Sequence, residues 1–111
     1  MADLNKYRDC IQELLKEYAS YVLLQEDVEA QIIVDTQGDR YQLLYVGWRN
    51  KRRVFGPVMH FDIKDDKIWI QWNGTEEEVG DRLVEMGIPK QDIVVGFHPP
   101  FVRPFTDYAV G

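Results

Sequence analysis

Scarcity is the first informative feature of this chain: 111 residues hold one cysteine, one serine and two histidines, and each shortage removes a class of chemistry. With Cys10 alone no internal disulfide can form, which suits a reducing compartment. Ser20 has no GxSxG around it, so a nucleophile-elbow hydrolase is excluded. Cys10 neighbours Asp9 and borders an apolar helical face, surroundings that keep a thiol protonated. Neither CxxC nor HExxH occurs, and Gly74–Thr75 lacks the lysine of a phosphate-binding loop. No apolar run approaches the ~20 residues of a membrane helix, and the opening MADLNKYRDC has no apolar signal core. The expectation is a soluble, cytoplasmic, non-enzymatic protein without cofactors.

Positive charge is also scarce. Thirteen Lys and Arg face nineteen Asp and Glu, giving a net charge of −6 and a pI of about 4.8. Nucleic-acid binding draws on cations that displace phosphate counterions, and such domains present a basic face. Residues 1–47 carry four basic and nine acidic side chains, and residues 61–111 carry five and ten. The remaining four cations, Arg49, Lys51, Arg52 and Arg53, crowd into VGWRNKRRVFG. Tight unaided binding to duplex DNA is therefore not expected.

What is present is ordinary globular material, 45% hydrophobic and 29% charged, of a length that fits one domain over residues 1–111. Leu4, Tyr7, Ile11, Leu14, Leu15, Tyr18 and Val22 recur at three- and four-residue spacings, predicting a helix over about 3–21 with Asp3 as N-cap. After QED the period becomes two, with Val28, Ala30, Ile32 and Val34 alternating against Glu29, Gln31, Ile33 and Asp35. DTQGDR is turn chemistry, with Gly38 free to take positive φ. RYQLLYVGW, RRVFGPVMHFDIK and KIWIQW are rich in aromatic and β-branched residues and predict further strands, with KDDK as a tight turn. Gly56–Pro57 predicts a bulge or an edge. In NGTEEEVGDRLVEMGIP a capping box of Thr75 and Glu78 predicts a second helix, which Gly87 and Pro89 end. DIVVGF predicts a fifth strand, and the proline-rich HPPFVRPFTDYAVG an aromatic tail packed on the body. The fold class is α+β: a helix, an antiparallel meander of four to five strands, a second helix and the tail.

His60 and Asp62 share a face of one strand, and His98 follows the last strand. With a third ligand such a set would hold a metal, but hydrogen bonding accounts for the pair without one. The acidic runs Asp65–Asp66 and Glu76–Glu78 suit a turn and a helix start. The quoted basic stretch places Arg49 to Arg52 at a hairpin tip, with Trp48 adjoining and Trp69 and Trp72 in a neighbouring strand. A solvated tip is one reading. Arginine beside tryptophan is also the pairing enriched at interface hot spots. With only two helices, one sheet face is expected to stay open.

Taken in order, LNKYRDCIQELLKEYA, YQLLYVGWRNKRRVFG, HFDIKDDKIWIQ, GTE and GIPKQDIVVGFHPPFVRPFTDYAVG cover nearly the whole chain and resemble the XisI family, the fdxN element excision controlling factor of heterocyst-forming cyanobacteria. The resemblance implies an α+β fold with an antiparallel sheet and a small cytoplasmic accessory protein. It also implies control of programmed DNA-element excision, performed by a separate site-specific recombinase. A XisH-type companion is the implied partner, and the recombinase a second one. No catalytic residues come with the family. The surface expected to meet the partner comprises Trp48, Arg49, Lys51, Arg52 and Arg53, with Phe101, Arg103 and Phe105 of the tail. Two other readings stand beside it: a directionality factor contacting DNA through the 48–53 hairpin, and an antagonist masking a nuclease-like companion. Oligomeric state is open at this stage.

Overall fold

The computed structural model describes residues 3–22 and 27–111. Helix α1 spans Leu4–Ala19, and Asp3 caps it by accepting from the Lys6 amide at 3.1 Å. Its apolar face is the one the spacing marks, with Tyr7, Cys10, Ile11, Leu14, Leu15 and Tyr18 buried. Val22 lies beyond the helix end, and the linker at residues 23–26 falls outside the described residues.

Five strands follow the helix: β1 Asp27–Asp35, β2 Arg40–Arg49, β3 Arg52–Lys64, β4 Lys67–Asn73 and β5 Ile93–Val95. They form one sheet in sequence order, antiparallel through β4. β5 departs from the expected meander by running parallel to β4, with Ile68 paired to Ile93. Parallel neighbours need a crossover rather than a hairpin. Helix α2, Val79–Glu85, supplies it. Gly87 ends α2 at φ 100°, with the Ile88 amide bonded to the Leu83 carbonyl at 3.1 Å and that of Gly87 to Val84 at 2.9 Å.

The predicted capping box does not form. Asn73 Oδ1 accepts from both the amide and the hydroxyl of Thr75, and Asn73 Nδ2 donates to the Glu77 carbonyl. This closed loop holds the chain out of helical geometry until Glu78, which caps without a side-chain bond. Gly38 does not take positive φ either; Asp39 does, at 53°. The space beside Gly38 is filled by the ends of two flexible, exposed side chains that could swing aside. A Cβ there would lie 2.2 Å from Arg40 Nη1 and 2.6 Å from Asp35 Oδ2.

Both hairpins of the central meander close on two-residue turns. Asn50–Lys51 and Asp65–Asp66 all have φ between 50° and 66°, the geometry of type I′ turns whose twist matches the strands. The bulge expected near Pro57 is found: Leu43 pairs with Met59 and Leu44 with Pro57, leaving Val58 extra. A second bulge leaves Gln71 extra in β4.

Both helices contribute to a core on one face of the sheet. Tyr41, Leu43, Met59, Phe61, Ile68 and Ile70 meet the α1 residues there, with Val79, Leu83, Ile88 and Ile93 beside them. Each fully buried aliphatic side chain stabilises the fold by about 1.5–3 kcal/mol. On the opposite face a smaller cluster of Trp69, Val94 and Ala109 lies beneath the tail. Among the described residues no other element covers the rest of that face.

Candidate partner-binding surface

The β2–β3 hairpin is built so that its cations do not all point one way. The strands run to Arg49 and resume at Arg52, which pair as the last rung, so the tip is Asn50–Lys51 rather than the whole 49–52 stretch. Successive strand residues alternate faces. Trp48 and Arg53, paired across the strands, therefore project to the open face, while Arg49 and Arg52 project to the helix-bearing side. Lys51 sits at the turn.

Arg53 is held in place on that open face. Its guanidinium lies 5.3 Å from the Trp48 ring centroid and 6.0 Å from that of Phe55, and Nη1 donates to the Gly47 carbonyl at 3.4 Å. Trp48 is 49% and Phe55 68% exposed. A cation stacked between two solvent-facing aromatic rings is chemistry suited to docking on protein. Phe55 was not singled out in the sequence, although its place two residues beyond Arg53 puts both on one face.

Farther along the same face a polar strip crosses four side chains. Gln42 Nε2 meets His60 Nδ1 at 3.1 Å, His60 Nε2 meets Asp62 Oδ1 at 2.8 Å, and Gln71 Nε2 donates to Asp62 Oδ2 at 3.1 Å. Asp62 receives His60 on one carboxylate oxygen and Gln71 on the other. Both His60 nitrogens are thus engaged in the strip. His98 lies past β5, in a cleft of about 370 Å³ lined also by Glu77, Val79, Phe97, Thr106 and Tyr108. Its Nδ1 is buried without a hydrogen-bond partner among the described residues. Among those residues no group of three or more His, Cys, Asp or Glu side chains could hold a metal ion.

The tail is strapped down by its polar groups and not by its phenylalanines. Arg103 donates to the His98 carbonyl at 3.1 Å and to the Gly96 carbonyl at 3.2 Å, and its guanidinium stacks 5.3 Å from the Trp69 ring centroid. The Ala109 amide bonds to the Ile93 carbonyl at 2.9 Å, and the Tyr108 hydroxyl donates to Asp81. Phe101 and Phe105 stay 76% and 88% exposed. Of the tail residues marked in the sequence, Arg103 holds the strap in position while the two rings face solvent.

With this geometry in hand the chain can be set beside known proteins. The family model described as "XisI protein" matches residues 1–110. The chain belongs to the XisI family. A XisI-like protein from Anabaena variabilis is 45% identical, superposes with a TM-score of 0.91, and is matched over 98% of this chain and 100% of its own. The fdxN element excision controlling factor XisI from the same organism is 37% identical at a TM-score of 0.82, over 97% and 98%. No curated protein matches the sequence. The XisI-family α+β fold expected from the resemblance is the fold described above. Among the described residues no helix is long and apolar enough to cross a membrane.

Proposed function

We propose that this chain is a non-catalytic controlling factor for excision of a DNA element, working through contact with a XisH-type companion protein. Support for excision control comes from XisI-family membership and from the 37% identical fdxN element excision controlling factor. The observation that carries a protein-contact mechanism is the hairpin: exposed Trp48 and Phe55 bracketing Arg53, with Arg49, Lys51 and Arg52 around an otherwise acidic body. Exposed Phe101 and Phe105 would add apolar area to the contact. Replacing Arg49, Arg52 and Arg53 together by Ala is expected to abolish co-purification with the companion while leaving the circular dichroism spectrum intact. Undiminished capture of the companion by that folded variant removes the hairpin from the interface.

A second reading treats the hairpin as a DNA-contacting ribbon, because a two-stranded ribbon can enter the major groove. Division of its cations between two faces argues against it, since few could meet one phosphate track at once. Titration of the purified chain with duplex DNA across salt is expected to give negligible binding near physiological ionic strength. Firm binding there, with a steep salt dependence, would favour the DNA reading.

A further inference from the structure

We infer that the open sheet face around the β2–β3 hairpin is a self-recognition surface, through which two copies of this chain pack sheet on sheet about a two-fold axis running along β2. Self-association and companion binding would use the same exposed residues, Trp48, Arg53 and Phe55, so they are competing states of one surface, and the self-recognition is argued from register, charge and the shape of that face.

The register sorts the open face into rows that cross β1, β2 and β3. One row reads Asp27, Trp48, Arg53, and the next reads Glu29, Val46, Phe55. A third reads Gln31, Leu44, Pro57. Each of the first two rows begins with a carboxylate on β1 and passes through an apolar residue on β2. On β3 the rows bear Arg53, then the exposed Phe55 and Pro57. Between the acidic strand and Arg53 the surface dips into a hollow of about 340 Å³ lined by Asp27, Glu29, Val46, Trp48 and Arg53.

Such a surface is complementary to itself in one orientation. A face-to-face dimer has its dyad in the plane of contact, and electrostatics chooses its direction. A dyad across the strands would set β1 on β1 and bring carboxylates together. A dyad along β2 sets β1 of one copy over β3 of the other, so Arg53 meets the partner's Asp27, and Phe55 descends toward the hollow beside the partner's Glu29. The β2 residues Leu44, Val46 and Trp48 then stack across the axis. Strands of the two sheets stay nearly aligned, the commoner mode of sheet packing. The contact is isologous and closes at two copies.

Alternatives on the same element are less well provided. β4 pairing stops at Met59, so among the described residues no strand pairs with the part of β3 nearest the hairpin tip, yet Pro57 offers no amide there and the bulge at Val58 disturbs its line. Strand addition at that edge is thereby disfavoured. Toward β5 the face is already occupied by the tail over Trp69 and Val94.

Sedimentation velocity of the full chain near physiological salt is expected to give twice the 13.1 kDa chain mass. Phe55→Glu, at an exposed position, is expected to raise the dimer dissociation constant about 30-fold or more. Arg53→Glu alone and the Asp27→Lys/Glu29→Lys pair alone are each expected to sediment as monomers, and an equimolar mixture of the two to recover a dimer. Because the mixing test needs only exposed positions, it decides the matter even if Phe55→Glu misfolds. A monomeric wild type, a dimer indifferent to all these changes, or a mixture that stays monomeric overturns the proposal. Loss of the companion complex with the dimer intact would touch only the proposed function.

Discussion

Asp39 occupies a left-handed backbone position at the end of the β1–β2 turn, and its carboxylate accepts three hydrogen bonds. Arg8 approaches it with two nitrogens, at 2.8 and 3.0 Å, and the Tyr41 hydroxyl donates at 3.0 Å. The Arg8 contact ties α1 to the turn and holds the Asp39 carboxyl below its ordinary range, against the opposing effect of burial. A depressed carboxylate stabilises the fold fully above about pH 4, the unfolded value, and that contribution disappears as pH falls through the lower folded value. Asp39→Asn tolerates the positive φ but removes the charge. It is expected to cost about 1–2 kcal/mol in urea unfolding at neutral pH. The same variant should lose less stability than wild type between neutral pH and about pH 3. Equal acid sensitivity in the two proteins would assign the effect elsewhere. Four tyrosines repeat the device, with Tyr7, Tyr18, Tyr41 and Tyr108 donating to Asp92, Glu77, Asp39 and Asp81. Burial, followed by these bonds, pushes the Tyr7 and Tyr41 phenols up to about 12. None of these pairs was legible in the sequence. Periodicity marks Tyr7 and Tyr18 as apolar-face residues, but the carboxylates they reach lie on distant segments.

At the scale of elements, much of the chain was readable because local chemistry and tertiary need agree. The Asp3 cap, the α1 stripe, the Gly87 stop and the bulge beside Pro57 are features whose physics is complete within a few residues. Thr75 misled because Asn73 had already taken its amide and hydroxyl, whereas in the β1–β2 turn the left-handed position simply falls one residue past Gly38, at Asp39. The direction of β5 was likewise invisible, since a run of three buried residues reads alike in either direction. Gly47 tests the joint between strands. A Cβ there would fall 2.0 Å from the Asp27 carbonyl oxygen and 2.6 Å from Val28 Cα, both backbone atoms. Gly47→Ala is expected to push the start of β1 away at a cost of about 1–3 kcal/mol, read as a lowered melting temperature. Faster amide exchange confined to Asp27–Glu29 should accompany it. Unchanged protection at those amides would show that the strands can absorb the methyl group.

For the molecule as a whole, the decisive asymmetry is that both helices serve one side of the sheet. The sequence predicted this in outline by offering two helical segments for five strands, and it marked the hairpin by charge. It did not divide that charge. Only the register shows Arg53 joining Trp48 and Phe55 on one side while Arg49 and Arg52 face the other. The tail was legible as aromatic and packed, yet Phe101 and Phe105 are its most exposed rings, because Arg103, Tyr108 and Ala109 make the attachments. Composition can say that a segment adheres. It cannot say which of its side chains are spent in doing so.

The parallel seam between β4 and β5 joins segments that are far apart in the chain. Hairpins closed by Asn50–Lys51 and Asp65–Asp66 join residues already near one another, so they can zip early at little entropic expense. Ile93 must instead find Ile68 with an entire helix between them, and Ala109 can bond only after Ile93 has arrived. Opening of this seam would uncover the Trp69 face that Arg103 and Ala109 now cover, leaving Lys64 alone over the ring.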